Sequence, residues 1–248
     1  MGEQTMETQK KVSLTKKDLN KAYWTFETYA QACCSYERLQ APGFFSGMRN
    51  IIDKLYDDDP EQKAEACQRH MEFYNSEFAL VGPVILGAAI AMEEEKANGA
   101  DIDGQAISAI KTSLMGPLAG IGDTLRQGTL IPIIGSIAIA LGQAGNLFAP
   151  IFYMLATLAL NWGISHTLFM KVYDKGTAFV AEFFQGNRME KIMTTITTMG
   201  SVTIGALAAN TVKLSTPLEL TLGEKVLNIQ ADILDSVILN LLPFCAVM

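Results

Sequence analysis

Apolar residues recur in two different rhythms along this 248-residue chain. Up to about residue 77 they form narrow stripes separated by charges; beyond it they gather into long uncharged runs. A Thr15-x-x-Asp18 box starts the first helix, the hydroxyl capping and the carboxylate suiting the positive helix end. Leu19, Ala22, Tyr23, Phe26, Tyr29, Ala30 and Cys33 follow at helical spacing, so this helix carries one apolar stripe and lies on something. A membrane surface, a partner protein or the chain's own core would each serve. The stripe is expected to run to the residue before Pro42 and to leave Phe44 and Phe45 in a loop. Met48, Ile51, Ile52 and Leu55 predict a second short helix. Asp59, Pro60 and Gln62 cap a third, expected from Glu61 to about Asn75. Residues 1–11 are polar and aperiodic, which predicts a disordered terminus over 1–13 and amphipathic cytoplasmic or interfacial helices over 14–77.

The uncharged runs begin at residues 78–92, a stretch interrupted by Gly82-Pro83 and short for a span, which needs about 20 residues. Glu93-Glu94-Glu95 closes it and Asn98-Gly99-Ala100-Asp101 reads as a turn. Gly116-Pro117 echoes Gly82-Pro83, and paired Gly/Pro interruptions point to broken helices around a transporter's midplane. Residues 127–170 hold no Asp, Glu, Lys or Arg, and Gly142-Gln143-Ala144-Gly145-Asn146 divides them. They read as a re-entrant hairpin followed by a span containing Trp162 and His166. Residues 192–212 are uncharged but threonine-rich, which suits helix-to-helix contact. Residues 216–232 alternate leucine with polar residues, as a short strand or an extracytoplasmic excursion would, and a last apolar run starts at Ile233. The fold expected is all-α: a polytopic membrane protein with amphipathic N-terminal helices and broken or re-entrant helices, membrane-embedded over residues 78–248.

Composition supports the membrane class. The chain is 49% hydrophobic and only 18% charged, against about 25% charged in ordinary soluble domains. A net charge of -7 leaves no basic stripe for phosphates and excludes a nucleic-acid partner. Cys33, Cys34, Cys67 and Cys245 have neither zinc spacing nor a disulfide framework. No signal peptide opens the chain, and Lys10, Lys11, Lys16, Lys17 and Lys21 favour a cytoplasmic N-terminus.

The candidate chemistry lies in Ser113-Leu114-Met115-Gly116-Pro117-Leu118-Ala119-Gly120-Ile121-Gly122-Asp123-Thr124-Leu125-Arg126-Gln127. The three glycines and Pro117 are expected to break the helix and bring backbone donors near a ligand, with Asp123 and Arg126 at the mouth of the uncharged tract. Substrate-binding residues are therefore Asp123, Gly120, Gly122, Asn75, Gln127 and Arg126, with Arg126 orienting Asp123 from one turn away. A P-loop and a Rossmann site are excluded, since neither Lys-Ser/Thr nor a strand accompanies the glycines. Gly120-Ile121-Gly122-Asp123 also looks like the motif of intramembrane aspartyl proteases, but Tyr173-Asp174 follows it in the wrong order. Asp57-Asp58-Asp59 lacks the glycine and distal glutamate of a calcium loop. His70 and His166 stand far apart and form no metal cluster; His166 reads as a hydrogen-bonded packing residue. No catalytic residue, metal or cofactor is expected.

Tyr36-Glu37-Arg38-Leu39-Gln40-Ala41-Pro42-Gly43-Phe44, Arg69-His70-Met71-Glu72-Phe73-Tyr74-Asn75, Glu93-Glu94, Ala97-Asn98-Gly99-Ala100 and Gly116-Pro117-Leu118-Ala119-Gly120-Ile121-Gly122-Asp123 together resemble the IID component of the mannose/fructose/sorbose phosphotransferase family. The resemblance implies a subunit of the bacterial inner membrane that pairs with a IIC subunit, in a higher IIC-IID oligomer, to move a sugar across the bilayer. Cytoplasmic IIA and IIB proteins would supply phosphate, so the IID chain would be no enzyme itself. Within these motifs Glu37, Arg38, His70 and Glu72 are taken as partner-facing. Thr124-Leu125 stands where relatives carry an aromatic, and Asn75-Ser76-Glu77-Phe78 replaces a proline-containing turn, which leaves the sugar open. Relatives continue past residue 248, which implies a truncated chain. The competing reading is a membrane scaffold or docking subunit that transports nothing.

Overall fold

Thr15 decides where the first helix starts. In the computed structural model, which describes residues 11–176 and, beyond them, 178, 179, 182, 191, 194, 195, 198–202, 205, 219–222 and 225–228, its hydroxyl and the Asp18 carboxylate close the expected capping box on α1 (Lys16–Tyr29). Leu19, Ala22, Tyr23 and Phe26 form the buried stripe. The next helices are α2 (Ala41–Leu55), α3 (Pro60–His70) and α4 (Gly82–Ala97). Then come α5 (Gly104–Leu125), a π-helical turn (Arg126–Leu130), α6 (Ile131–Gln143) and α7 (Ala149–Lys175). Glu219–Leu222 (β1) and Lys225–Asn228 (β2) pair antiparallel, with Leu220 opposite Leu227. Within the alternating 216–232 segment the described residues 219–222 and 225–228 therefore pair as strands, and the other regular elements among the described residues are helical. Most of residues 192–212 and the run from Ile233 lie outside the described residues.

The chain divides into two units: Met1–Gly122 with Leu158–Met189, and Asp123–Thr157 with Glu190–Met248. The first is built around α4. Its residues Gly82 to Glu93 are all buried, as expected for a helix that is apolar on every side. Gly82-Pro83 thus starts a helix instead of interrupting one, with proline in the first turn where its missing N–H costs nothing. Phe44 is a second correction. It is fully buried in α2, not looped out, because Pro42 opens that helix and Phe44 packs on Phe26 and Tyr74 with ring centroids 6.1 and 4.4 Å away.

Helix α3 is shorter than expected. It stops at His70, since Gln40 N–H donates to the Tyr74 carbonyl at 2.9 Å and Leu39 bridges Tyr74, drawing the chain off the helix path after Met71. The chain start is tied down earlier than residue 14. Val12 N–H donates to Asn98 Oδ1 at 2.8 Å, Asn98 Nδ2 returns a bond to the Val12 carbonyl at 2.9 Å, and Leu14 N–H reaches Glu94. The second half of α7 closes this unit, where His166 bonds Asn20 Oδ1 at 2.7 Å as a packing residue.

In the second unit Gly145, at φ 78°, turns the chain between α6 and α7 and confirms the division expected at residues 142–146. Gly116 and Pro117 do not break α5. The bond Pro117 forfeits falls on an exposed face with Ser113 and Gly116, and the helix passes through. Irregularity appears downstream instead, where Ile131 N–H donates to the Arg126 carbonyl five residues back. Among the described residues one helical stretch, Gly104–Gln143, is long and apolar enough to cross a membrane.

Candidate functional site

In the first unit the glycine face of α5 receives the loop leading into α4. A Cβ on Gly122 would lie 2.6 Å from Val81 Cγ2 and 2.7 Å from Glu77 Cβ, so only glycine permits the approach. Glu77 is nearly buried and its carboxylate accepts N–H bonds from Ala79 (3.0 Å), Leu80 (2.8 Å) and Val81 (3.1 Å). The carboxylate thus satisfies the N–H groups of the turn that leads into α4. Beside it Ser76 N–H donates to Gln40 Oε1 at 3.0 Å and Ser76 Oγ reaches the Met115 carbonyl at 3.5 Å. Asn75 sits exposed between buried Tyr74 and Ser76. This loop is thus pinned on both sides with its amide facing outward. Because α5 is continuous, its own ladder engages the N–H groups of Gly120 and Gly122. The part Gly122 plays is close approach to Val81 and Glu77.

Asp123, Arg126 and Gln127 belong to the second unit. Asp123 is exposed, and Gln127 Nε2 donates to its Oδ1 at 3.2 Å across one helical turn. Arg126 opens the π turn and is half-buried; Thr129 Oγ1 donates back to the Thr124 carbonyl at 3.1 Å. A carboxylate and a carboxamide therefore sit side by side near the middle of the Gly104–Gln143 helix. That pair can accept and donate hydrogen bonds at once, as a polyhydroxylated ligand requires.

Among the residues taken as partner-facing, Glu37, Arg38 and Glu72 are exposed. Arg38 Nη1 also donates to the Met71 carbonyl at 3.3 Å. His70 is not at the surface: it is fully buried and its Nε2 lies 2.7 Å from Glu93 Oε1. Glu93 is the centre of a buried charged cluster. Arg69 Nε donates to Oε1 at 2.6 Å, Arg69 Nη2 to Oε2 at 3.2 Å, and Tyr56 O–H to Oε2 at 2.6 Å. Burial alone would raise the Glu93 carboxyl, but the hydrogen bond from His70 and the Arg69 guanidinium override it and hold it at about 2. Burial depresses His70 below the usual imidazole range against the pull of Glu93, so the ring is neutral at pH 7 and Nε2–H is the donor. Lys111, buried in α5, donates to the Arg69 carbonyl at 2.6 Å and caps the C-terminal end of α3.

Reading Glu93-Glu94-Glu95 as a terminator missed Glu93. The available signal was its place on one helical face with Leu86 and Ile90. Glu77 was missed because a short loop carries no periodicity.

Two cavities of about 710 Å³ lie elsewhere. One, lined by Glu94, Glu95, Asn98, Tyr173, Asp174 and Lys175, is polar, with Glu94 already engaged by Leu14 and by the Tyr173 hydroxyl. The other, between α6 and the start of α7, is lined by Gly135, Ala138, Ile139, Leu147 and Tyr153 and is apolar.

The model of the PTS system mannose/fructose/sorbose family IID component matches residues 13–248. The mannose-specific EIID component of Escherichia coli K12 is 31% identical over 245 residues, covering 96% of this chain and 85% of that protein. The sorbose-specific EIID component of Lacticaseibacillus casei is 33% identical over 219 residues, 88% of this chain and 76% of its own length. Among solved structures, a chain of the mannose transporter ManYZ in complex with microcin E492 superposes with a TM-score of 0.64 at 30% identity, covering 95% of this chain and 86% of that one.

Proposed function

This chain belongs to the mannose/fructose/sorbose family of phosphotransferase-system IID components, and from that premise we propose that it pairs with a IIC subunit to translocate a hexose or related sugar. IIA and IIB partners would phosphorylate the sugar as it arrives. The chain is a membrane component of a sugar permease; its substrate contacts, its oligomer with IIC and its cytoplasmic N-terminus are part of the proposal.

The observation that carries the reading is the Asp123–Gln127 pair, held near the middle of the one described helix apolar and long enough to span a bilayer. An ionisable group in such a segment is costly unless it serves a ligand, an ion or a partner. Sugar hydroxyls offer both donors and acceptors, which Asp123 and Gln127 match. Arg126 opens the π turn that follows Asp123 and carries Gln127; Asn75, in the first unit, presents an outward-facing amide of its own. Gly120 and Gly122 keep side chains off this part of α5. Rocking of one bundle against another would carry the site across the bilayer.

The test is sugar uptake by Asp123→Asn and Asp123→Ala, with membrane insertion and IIC co-purification measured alongside. A hydrogen bond to a charged group contributes about 1.5–3 kcal/mol, so both variants should lose roughly 10- to 100-fold in apparent sugar affinity while still inserting and pairing. Uptake at the parental level would sink the role given to Asp123.

A further inference from the structure

The chain contains two tryptophans, and the fold brings them together on the outside of the first unit. Trp24 of α1 and Trp162 of α7 meet edge to face with ring centroids 5.2 Å apart, yet are 44% and 40% exposed. Tyr23, fully buried behind them, packs edge-on against Trp24 at 5.1 Å and against His166 at 4.9 Å. The indoles are therefore held rigidly, with their outer faces uncovered. Aromatics of this size normally stay at a protein surface only where something apolar at one end and wet at the other meets them.

Two further features identify that something. On α1 the exposed face carries Lys17, Lys21, Trp24 and Thr28 at helical spacing, so two cations share the face with the indole. Along α7, Trp162 stands where the character of the helix changes. Before it Ile151, Met154, Leu155 and Leu160 are exposed and apolar. After it Ser165 bonds Glu27, His166 bonds Asn20, Tyr173 bonds Glu94, and Lys171 is the first charge. The apolar part, from Ala149 to Trp162, is about 20 Å long at 1.5 Å per residue, shorter than a hydrocarbon core of about 30 Å. A lysine-flanked aromatic pair at an apolar-to-polar transition is the composition of a membrane–water boundary. The centre of a protein–protein interface is instead depleted in lysine.

We propose that Trp24 and Trp162, with Lys17 and Lys21, form an interfacial anchor seated at the headgroup level of an anionic leaflet. The anchor fixes the depth of the first unit at the cytoplasmic face, where anionic lipids and the lysines of α1 attract each other. It rests on the chain being a membrane component and not on the sugar site.

Because the indoles are the chain's own fluorophores, quenching reads the proposal directly. The full chain is co-reconstituted with its IIC partner in phosphatidylglycerol-containing vesicles, with lipids brominated either near the glycerol ester or near the chain end. Single-tryptophan variants Trp24→Phe and Trp162→Phe resolve the two rings. Each indole should be quenched more by the ester-proximal bromine than by the terminal one, and little by aqueous iodide. Lys17→Gln/Lys21→Gln should reduce that quenching in anionic vesicles and leave it unchanged in neutral ones. Iodide quenching without a bromine effect, stronger quenching by the deep label, or quenching by neither would each overturn the anchor, the last by showing a covering protein surface. Equal quenching of parent and lysine variant in both lipids would overturn the anionic assignment. No sugar enters the measurement, so Asp123→Ala should behave as the parent and a failure of the transport reading stays separable.

Discussion

Helices α4 and α6 are both rich in Ile, Ala and Gly and free of charge over most of their length, yet they live in opposite surroundings. Every residue of α4 from Gly82 to Glu93 is buried against protein, whereas Ile134 is the one buried residue of α6. An apolar helix can hide from water behind its own chain or in lipid, and composition does not distinguish the two. What differs is the company each keeps: α4 ends on a carboxylate satisfied by four hydrogen bonds, and α6 has no charged residue to satisfy.

The harshest way to break this comparison is at the end of α4. Glu93→Ala would leave Arg69 and the Tyr56 hydroxyl buried without their acceptor, and losing one member of a buried ion pair costs about 3–5 kcal/mol. Thermal unfolding in detergent should fall sharply, and more than for Glu94→Ala. A sharper test pairs two isoleucines. Ile85→Ala, fully buried in α4, should cost about 2–5 kcal/mol, while Ile139→Ala, 62% exposed on α6, should stay within about 0.5 kcal/mol. Equal losses would mean that α6 is covered by protein as thoroughly as α4.

The most gradual effect is the response to acid. His70 has its folded pKa depressed, so the unfolded chain binds the proton more readily and stability is lost as pH falls below about 6.5, by at most about 1.4 kcal/mol per pH unit. Glu93, held at about 2, adds to the loss once pH drops below its unfolded value of 4.5. Both signs agree, so the first unit should melt progressively lower from pH 6.5 to 4. His70→Asn should remove the upper part of that slope.

Local signals were legible because they are local. The Thr15–Asp18 box, the Asp59 cap on Gln62 N–H at 3.0 Å, the Met48–Leu55 stripe and the turn at Gly145 each follow from a few neighbouring residues. Where the reading failed, distant residues decided. Phe44 enters the core because Phe26 and Tyr74 wait for it, and α3 stops early because Gln40 and Arg38 hold residues 71–75. Gly82-Pro83 and Gly116-Pro117 share a spelling, but one opens a helix and the other lies inside one, and no local rule separates them. The spacing of Asp123 and Gln127 was legible as one helical turn, and their hydrogen bond follows from it, while the contact of Glu77 with Gly122 in the first unit came from a loop too short to carry a pattern.

The π turn at Arg126–Leu130 fits one more residue into a helical revolution than the helices on either side. Since each α-helical residue turns the chain by about 100°, that single surplus residue sets the phase between the carboxylate of Asp123 and everything on α6. Removing it would leave composition and hydropathy almost untouched and yet swing the Gly135–Ile139–Gly142 face by more than a quarter of a revolution. The helix carries its own clocking device, one residue wide.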